Sequence, residues 1–202
     1  DFMADYRYWG RDIVIAGEAR ADNVYANASS GRFLAVGAMD LEVSNQEARN
    51  IYEFAYKVIA NCNIIINSGV SGDANMINHI KGEALTLRAL AHFDLVRIFG
   101  QHNITGQGGL NAPGICYVTE FKSSNLYPAR NTVAEVRDKI YIDLNNAINN
   151  FTTSLNDPDK YSVTSDAAYA IKSRVAIYFG DKAIAKDACE AIINNYTIAS
   201  RS

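Results

Sequence analysis

The stretch GEALTLRALAHFDLVRIFG, residues 82–100, decides the fold class of this 202-residue chain. Apolar residues occupy every side of a helix drawn through it, which is the pattern of a helix packed on several sides. Charged and imidazole side chains nevertheless lie among them, namely Glu83, Arg88, His92, Asp94 and Arg97. The stretch is therefore either a core helix that tolerates charge or a catalytic helix that carries an acid, a base and an imidazole.

The spacing of these polar residues favours the core helix. A general acid and a general base must both reach one reacting group, but Glu83 and Arg88 are five residues apart and are not close neighbours on a helix. Arg88 and His92 share a face, as do Asp94 and Arg97, at the spacings that helices commonly use for structural pairs. We expect Glu83 and Arg88 to be mostly buried and hydrogen-bonded.

Helical periodicity extends through most of the chain. Helices are predicted over residues 46–68, 74–99, 133–151, 166–179 and 182–194. Thr132 and Glu135 form a capping box before the third of them, and glycines at positions 100 and 180 are natural helix ends. The first two helices are predicted to form an antiparallel pair. With a first helix near Trp9, the sequence predicts an all-α fold of about six helices in tetratricopeptide-like hairpins.

Two segments of the sequence lack a sustained helical period. Residues 20–44 mix small, polar and aromatic residues, and residues 101–130 are rich in glycine and asparagine. Within the second segment, ICYV at 115–118 is a candidate for a short strand. Such long connections are uncommon in compact domains unless they bind something. We therefore predict an all-α fold with long connecting loops and look for a site in the loops.

Composition and motifs exclude several classes of function. A net charge of -3 and a pI near 5.6 do not favour nucleic acid, and no apolar run approaches the roughly 20 residues that span a bilayer. The cysteines are far apart and are expected to be buried, unreactive thiols: Cys62, Cys116 and Cys189. The three histidines have no metal-ligand spacing, and no nucleophile elbow or phosphate-binding loop is present. We therefore predict no catalytic residue, no metal site and no cofactor.

The opening stretch resembles the signature helix of the SusD/RagB family, which runs Glu-Ala, Arg-Ala, an aromatic residue, Leu-Val and a terminal aromatic-Gly. The matching residues are Glu83, Ala84, Arg88, Ala89, Phe93, Leu95, Val96, Phe99 and Gly100. Four more segments resemble the family in order and spacing: residues 52–66, 112–121, 129–148 and 165–196. Cys116 departs from the pattern, since the family often has proline there. The resemblance covers nearly the whole chain.

The resemblance implies a non-catalytic, glycan-binding component of an outer-membrane nutrient uptake system. Such proteins are surface-exposed lipoproteins of the cell outer membrane that work with a SusC-like TonB-dependent transporter. We accordingly expect two partners, an oligosaccharide and that transporter, and membrane attachment only through a lipid anchor that this chain does not contain. Because family members are far longer, residues 1–202 are expected to be a single SusD-like N-terminal helical domain without the family's C-terminal half.

Candidate ligand-binding residues lie in the segment 20–44. Sugars are bound by flat aromatic faces flanked by amide, carboxylate or guanidinium groups, and the resemblance implies ligand contacts in this region, with an aspartate at the place of Asp22. The candidates are Asp22, Asn23, Tyr25, Asn27, Arg32 and Phe33. The alternative is a surface loop that Tyr25 and Phe33 pin to the helices. Trp9, in the predicted first helix, is more often a core anchor than a ligand platform.

Two other classes of function stay open at this point. A tetratricopeptide-like helical scaffold that binds a protein or peptide partner would carry exposed aromatic and charged residues on helices rather than in loops. A glycoside hydrolase would need two carboxylates flanking a cleft. The acidic residues outside the helical pattern lie in different segments and identify no such pair: Glu18, Asp22, Glu42 and Glu120. An enzyme is therefore disfavoured.

Overall fold

The computed structural model describes residues 2–22, 24–27, 29–122, 124–159 and 161–196. Over these residues the backbone forms seven α-helices and no strand, which confirms the all-α class. The helices are α1 (Asp12–Glu18), α2 (Leu34–Gly37), α3 (Gln46–Ile66), α4 (Ala74–Phe99), α5 (Val133–Asn150), α6 (Ser165–Phe179) and α7 (Lys182–Glu190). None of the described helices is both long enough and apolar enough to cross a membrane.

Residue contacts divide the chain into two compact units, Asp1–Val58 and Ile59–Ser202, with the division inside α3. The first unit contains α1, α2 and the first part of α3. The second contains the end of α3 together with α4, α5, α6 and α7. The prediction of a single domain stays a prediction, and the two units are described separately.

The first unit begins with turns rather than with a helix around Trp9, so that sequence prediction is wrong. The Asp5 carboxylate accepts hydrogen bonds from the backbone N–H and from Nε of Arg7, at 2.9 and 2.8 Å. The Asp5 carbonyl accepts the N–H of Tyr8 at 2.9 Å. A short carboxylate side chain that binds the backbone two residues on stabilises a turn in competition with a helix. Helix α1 consequently begins only at Asp12.

In the second unit, two of the local sequence features act at the helix ends as predicted and two others differ. Thr132 and Glu135 form the expected reciprocal capping box before α5, and Gly180 ends α6 in the left-handed conformation at φ 81°. Gly100 ends α4 in an extended conformation instead. Asp181 precedes α7, but its carboxylate accepts the hydroxyl of Tyr141 at 2.7 Å rather than capping the helix.

Helices α4 to α7 pack in sequence order, α4 on α5, α5 on α6 and α6 on α7, with a further contact between α4 and α6. The predicted apolar stripe of α5 lies in this interface and is fully buried at Val133, Val136, Ile140 and Leu144. Each such side chain stabilises the fold by about 1.5–3 kcal/mol through burial. The stripe ends before Ile148, which is half-buried.

The polar residues of the opening stretch belong to a buried network. Arg88, which is 6% exposed, donates from Nε and Nη2 to both carboxylate oxygens of Asp143, each at 2.7 Å. Its Nη1 donates to Oδ1 of Asn63 at 2.8 Å. The guanidinium is thus paired on two sides, which confirms the core-helix interpretation. Glu83 meets the expectation in part: its side chain is mostly buried, with 26% exposed, but it lies 3.7 Å from His79, beyond hydrogen-bond distance.

Residues 115–118 are extended but pair with no strand in the described part of the chain, so the strand prediction is wrong. Helix side chains take the place of a neighbouring strand. Asn63 Nδ2 donates to the carbonyl of Val118 at 3.1 Å, and the N–H of Val118 donates to Nε2 of His92 at 3.1 Å. Polar backbone groups away from water need such partners. The segment is therefore held by α3 and α4 without a sheet.

The three cysteines are not joined in disulfides and lie in different environments. Cys62 is buried, and burial raises its pKa to about 12. Cys116 is partly exposed and Cys189 is exposed on α7. The prediction that the thiols are buried is confirmed for Cys62 and wrong for Cys189, and the prediction that they are unreactive stays a prediction.

Candidate ligand-binding site

The described candidate residues of the segment 20–44 fall into two groups. Asp22, Asn27 and Arg32 are exposed, and Tyr25 is 82% exposed. Phe33 is buried, with 7% of its surface accessible. Asn23 lies outside the described residues. The Tyr25 ring is therefore available to a ligand. The Phe33 ring packs inside the unit, which agrees with the alternative that the segment is a surface loop held to the helices by its aromatic residues.

Phe33 is also held in an unusual backbone conformation at the start of α2. Its φ is 58°, in the left-handed region that bulky residues rarely adopt. The Phe33 N–H donates to Oε1 of Glu47, in the first turn of α3, at 3.1 Å. A hydrogen bond to a helix-borne carboxylate and a buried ring together hold this strained residue. The chain next to Phe33, which includes Arg32, is thereby fixed against α3.

A pocket of about 480 Å³ opens in the first unit at this place. Its lining residues are Tyr6, Arg11, Arg32, Gln46, Glu47 and Asn50. Of the residues predicted from the sequence, Arg32 lines the pocket and the other described candidates do not. The structure thus brings Arg32 together with polar residues from the turns before α1 and from the first turn of α3.

A buried carboxylate fixes one wall of the pocket. Asp12 is fully buried and accepts a hydrogen bond from Nε of Arg11 at 2.7 Å and another from Nδ2 of Asn50 at 2.9 Å. Gln46 Nε2 in turn donates to Oδ1 of Asn50 at 2.7 Å. The guanidinium carbon of Arg11 lies 4.7 Å from the centroid of the Tyr6 ring, within the range of a cation–π contact. This wall is therefore organised before any ligand arrives.

The charged groups of the pocket differ in whether they already have partners. Glu47 accepts the Phe33 N–H at Oε1 and Nδ2 of Asn45 at Oε2, the latter at 2.9 Å. Arg11 is paired with Asp12. No described residue accepts a hydrogen bond from the Arg32 guanidinium or forms an ion pair with it. Arg32 is consequently the charged lining residue that has no partner among the described residues and can pair with a ligand.

The lining residues other than Arg32 were not singled out from the sequence. Gln46, Glu47 and Asn50 share one face of the start of a predicted helix, which was a usable signal for their clustering. Nothing local connects them with Tyr6 and Arg11, because the hydrogen bond between Asp12 and Asn50 joins residues 38 apart in the sequence. No group of three or more His, Cys, Asp or Glu residues in the described part of the chain could hold a metal ion.

The second unit has a pocket of about 430 Å³ formed by the loop that follows residue 116. Its lining residues are Tyr117, Val118, Thr119, Glu120, Lys122, Ser124, Asn125, Leu126 and Pro128. The hydroxyl of Tyr117 is engaged, since it donates to Asp143 at 2.6 Å. The one aromatic ring among the described lining residues of this pocket is therefore buried and already bonded, unlike the exposed ring of Tyr25 in the first unit.

The described chain is therefore an all-α protein, with a polar pocket beside a long loop in its first unit and a buried Arg–Asp pair in its second unit. The sequence model of a family of SusD-like proteins matches residues 11–177. This family is described as starch-binding and associating with the outer membrane. The chain belongs to this SusD-like family, as the resemblance of residues 82–100 implied.

Individual relatives agree with this assignment. SusD-like protein P2 of Formosa agariphila is 28% identical over 102 residues, which are 48% of this chain and 20% of the relative. A solved SusD superfamily protein from Bacteroides vulgatus superposes with a TM-score of 0.84 at 22% identity, covering 98% of this chain and 46% of its own. A laminarin-binding SusD-like protein gives a TM-score of 0.75 at 21% identity, covering 94% and 40%. The chain spans less than half the length of each of these proteins.

Proposed function

We propose that this chain is part of a non-catalytic, glycan-binding component of an outer-membrane nutrient uptake system. In this proposal the protein is a surface-exposed lipoprotein of the cell outer membrane that delivers an oligosaccharide to a SusC-like TonB-dependent transporter. The family description, starch-binding and associating with the outer membrane, supports both the ligand class and the location. A relative of the same fold is a laminarin-binding protein, which supports glycan binding in particular.

The observation that carries the proposal is the pocket of the first unit, with Arg32 in its lining. Its guanidinium and amide groups are the groups that hydrogen-bond sugar hydroxyls. Tyr25 adds an exposed ring in the same segment, and aromatic rings pack on the C–H faces of sugars. The proposed ligand-contacting residues are those of the sequence prediction, Asp22, Asn23, Tyr25, Asn27, Arg32 and Phe33, with Phe33 acting as the buried anchor of the segment.

The positions of exposed aromatic side chains favour a glycan over a protein or peptide. The most exposed described aromatic residues are Tyr25, Tyr127 and Tyr161, at 82, 91 and 91%, and all three lie in loops. A helical scaffold for a protein partner is expected to carry such residues on its helices. The one carboxylate in the pocket lining, Glu47, accepts two hydrogen bonds from the protein, which supports a binding role over acid–base catalysis.

A titration tests the proposal. Maltoheptaose and laminarihexaose are added to the isotopically labelled chain while NMR follows the amides of the segment 20–44. Because the chain is under half the length of its relatives, only weak binding is expected, roughly millimolar, which corresponds to about 4 kcal/mol. Shifts should concentrate in this segment and shrink in Tyr25→Ala. The control variant Tyr161→Ala removes an equally exposed ring from the second unit and should leave them unchanged. Shifts confined to the helices would favour the protein-scaffold function instead.

A further inference from the structure

The charged residues that line the pocket of the first unit differ in whether they have a partner within the protein. Arg11 is compensated by the buried carboxylate of Asp12 at 2.7 Å. Glu47 is engaged through both carboxylate oxygens by donors of the protein. The Arg32 guanidinium faces no acceptor among the described residues, although its own backbone N–H is bonded to the hydroxyl of Ser30 at 3.4 Å. Arg32 is therefore the charged group of this lining that has no partner among the described residues.

A neutral sugar matches this arrangement less well than an anionic one. In the free protein Arg32 is exposed and its charge is solvated by water. A ligand that covers the pocket removes part of that water, and a guanidinium that loses water without gaining an opposite charge is destabilised. Neutral hydroxyls restore hydrogen bonds but not the counter-charge. A carboxylate or sulfate restores both, and the planar guanidinium suits such groups because it donates two parallel hydrogen bonds.

The rest of the pocket is suited to holding the sugar ring that bears such an anion. The amides of Gln46 and Asn50 and the second guanidinium, that of Arg11, are fixed in position by the hydrogen bonds around Asp12. Groups that are already ordered lose little entropy when the ligand binds. Glu47 keeps its negative charge, but each of its oxygens already accepts a hydrogen bond from a neutral donor of the protein, and none of the described ion pairs joins it to Arg32.

We infer that this pocket selects saccharides that carry an anionic substituent, a carboxylate or a sulfate ester, and that Arg32 pairs with that substituent. The inference rests on the proposed function, since it takes the ligand to be a glycan, and it narrows the class of glycan. It also assigns Tyr6, Arg11, Gln46 and Asn50 to the binding site alongside Arg32.

Matched pairs of ligands test the inference. Trigalacturonic acid is compared with its fully methyl-esterified form, and 3′-sulfolactose with lactose, by NMR titration of the folded chain in about 20 mM salt. Each pair differs in one kind of group and shares its sugar skeleton. At least one anionic ligand should bind roughly tenfold more tightly than its neutral partner, and this difference should shrink in about 0.5 M salt, where charges are screened. The pair that shows the difference identifies whether the anion is a carboxylate or a sulfate.

Two variants assign the effect to a residue. Arg32→Gln removes the unpaired guanidinium, and Arg49→Gln removes the same charge from an exposed position of α3 that does not line the pocket. The preference for the anionic ligand should disappear in Arg32→Gln and persist in Arg49→Gln. Any of three results overturns the inference: equal binding of the two ligands within both pairs, a preference that persists in Arg32→Gln, or a preference that is lost in both variants. If the four probes fail while maltoheptaose or laminarihexaose binds, the inference alone fails; if no saccharide binds, the proposed function fails with it.

Discussion

The rings of His92 and Tyr117 are stacked, with their centroids 3.7 Å apart and their planes 13° from parallel. The stack joins α4 to the extended segment 115–118. His92 Nδ1 lies 2.9 Å from the carbonyl of Arg88 and Nε2 accepts the N–H of Val118. Because a carbonyl can only accept, Nδ1 carries the proton and Nε2 is the acceptor. The position of Val118 therefore depends on a neutral imidazole.

Acid should destabilise the second unit through this imidazole. Burial lowers the pKa of His92 from 6.5 to about 3. The unfolded chain thus takes up a proton at His92 first as the pH falls, so the stabilisation is complete above about pH 6.5 and is lost progressively towards about pH 3. We expect a loss on the order of a few kcal/mol in the free energy of unfolding.

The variant His92→Gln isolates this effect, since glutamine offers an acceptor that does not titrate. Urea unfolding of both proteins from about pH 7 to about pH 4 gives the difference between their free energies of unfolding. The carboxylates contribute equally to both proteins and cancel in the difference. As the pH falls, the free energy of unfolding of the wild type should decrease relative to that of His92→Gln. A difference that does not depend on pH would contradict the role of His92.

Loss of Arg88 should be costly because it leaves a buried carboxylate unpaired. Arg88→Met removes both hydrogen bonds to Asp143 and the bond to Asn63, and should lower the free energy of unfolding by about 3 kcal/mol. Arg174→Met is the control, because Arg174 lies in α6 of the same unit and is exposed. It should cost less than about 1 kcal/mol. Equal midpoints for the two variants in denaturant unfolding would contradict the structural role of Arg88.

These contacts show what the sequence can and cannot predict. The caps at Thr132 and Gly180 and the apolar stripe of α5 were predictable because they depend on residues within a few positions. That Arg88 is buried was predictable too, but its partner Asp143 is 55 residues away, and no local rule selects it. The segment ICYV was predicted as a strand because its composition suits one. Its partners are the side chains of Asn63 and His92 together with the backbone and side chain of Asn131, and periodicity cannot reveal such partners.

The candidate site also combines features set by nearby residues with contacts between residues that are distant in the sequence. Arg32 was proposed as a ligand-binding residue because it lies in a polar, aromatic loop. The neighbours that give it a function come from other elements, and only the folded chain brings Arg11 and Asn50 together around Asp12. The left-handed conformation of Phe33 was equally hidden, since no glycine or asparagine stands there to indicate it.

The cysteines should react at clearly different rates with a thiol reagent. Cys189 is exposed, whereas Cys62 is buried with its pKa raised to about 12, and the thiolate is the reactive form. In Ellman's assay on the folded protein we expect rapid modification of Cys189 and none of Cys62 until denaturant is added. Cys189→Ser should remove the fast phase. A fast phase that survives this substitution would mean that another thiol is more accessible than the structure shows.

The protein should not degrade polysaccharides. The described residues that line the pocket of the first unit include one carboxylate, Glu47, which is already hydrogen-bonded twice, whereas most glycoside hydrolases use a pair of carboxylates. Incubation with starch, laminarin and pectin should release no reducing sugar above the buffer background. Release that persists through repurification and disappears in Glu47→Gln would show that the site is catalytic.

Glu47 should instead be essential for the shape of the site. Its carboxylate accepts the N–H of Phe33, which has a φ of 58°, and an unfavourable backbone conformation of this kind persists only where neighbouring contacts enforce it. Glu47→Ala should therefore release the segment around Phe33 and speed hydrogen exchange of its amide by roughly tenfold, as expected when a hydrogen bond to a charged group is lost. Glu53→Ala is the control, because Glu53 lies further along α3 and pairs with Lys57 on the surface. If exchange at Phe33 is the same in both variants, the buried ring alone holds the segment and Glu47 has no positioning role.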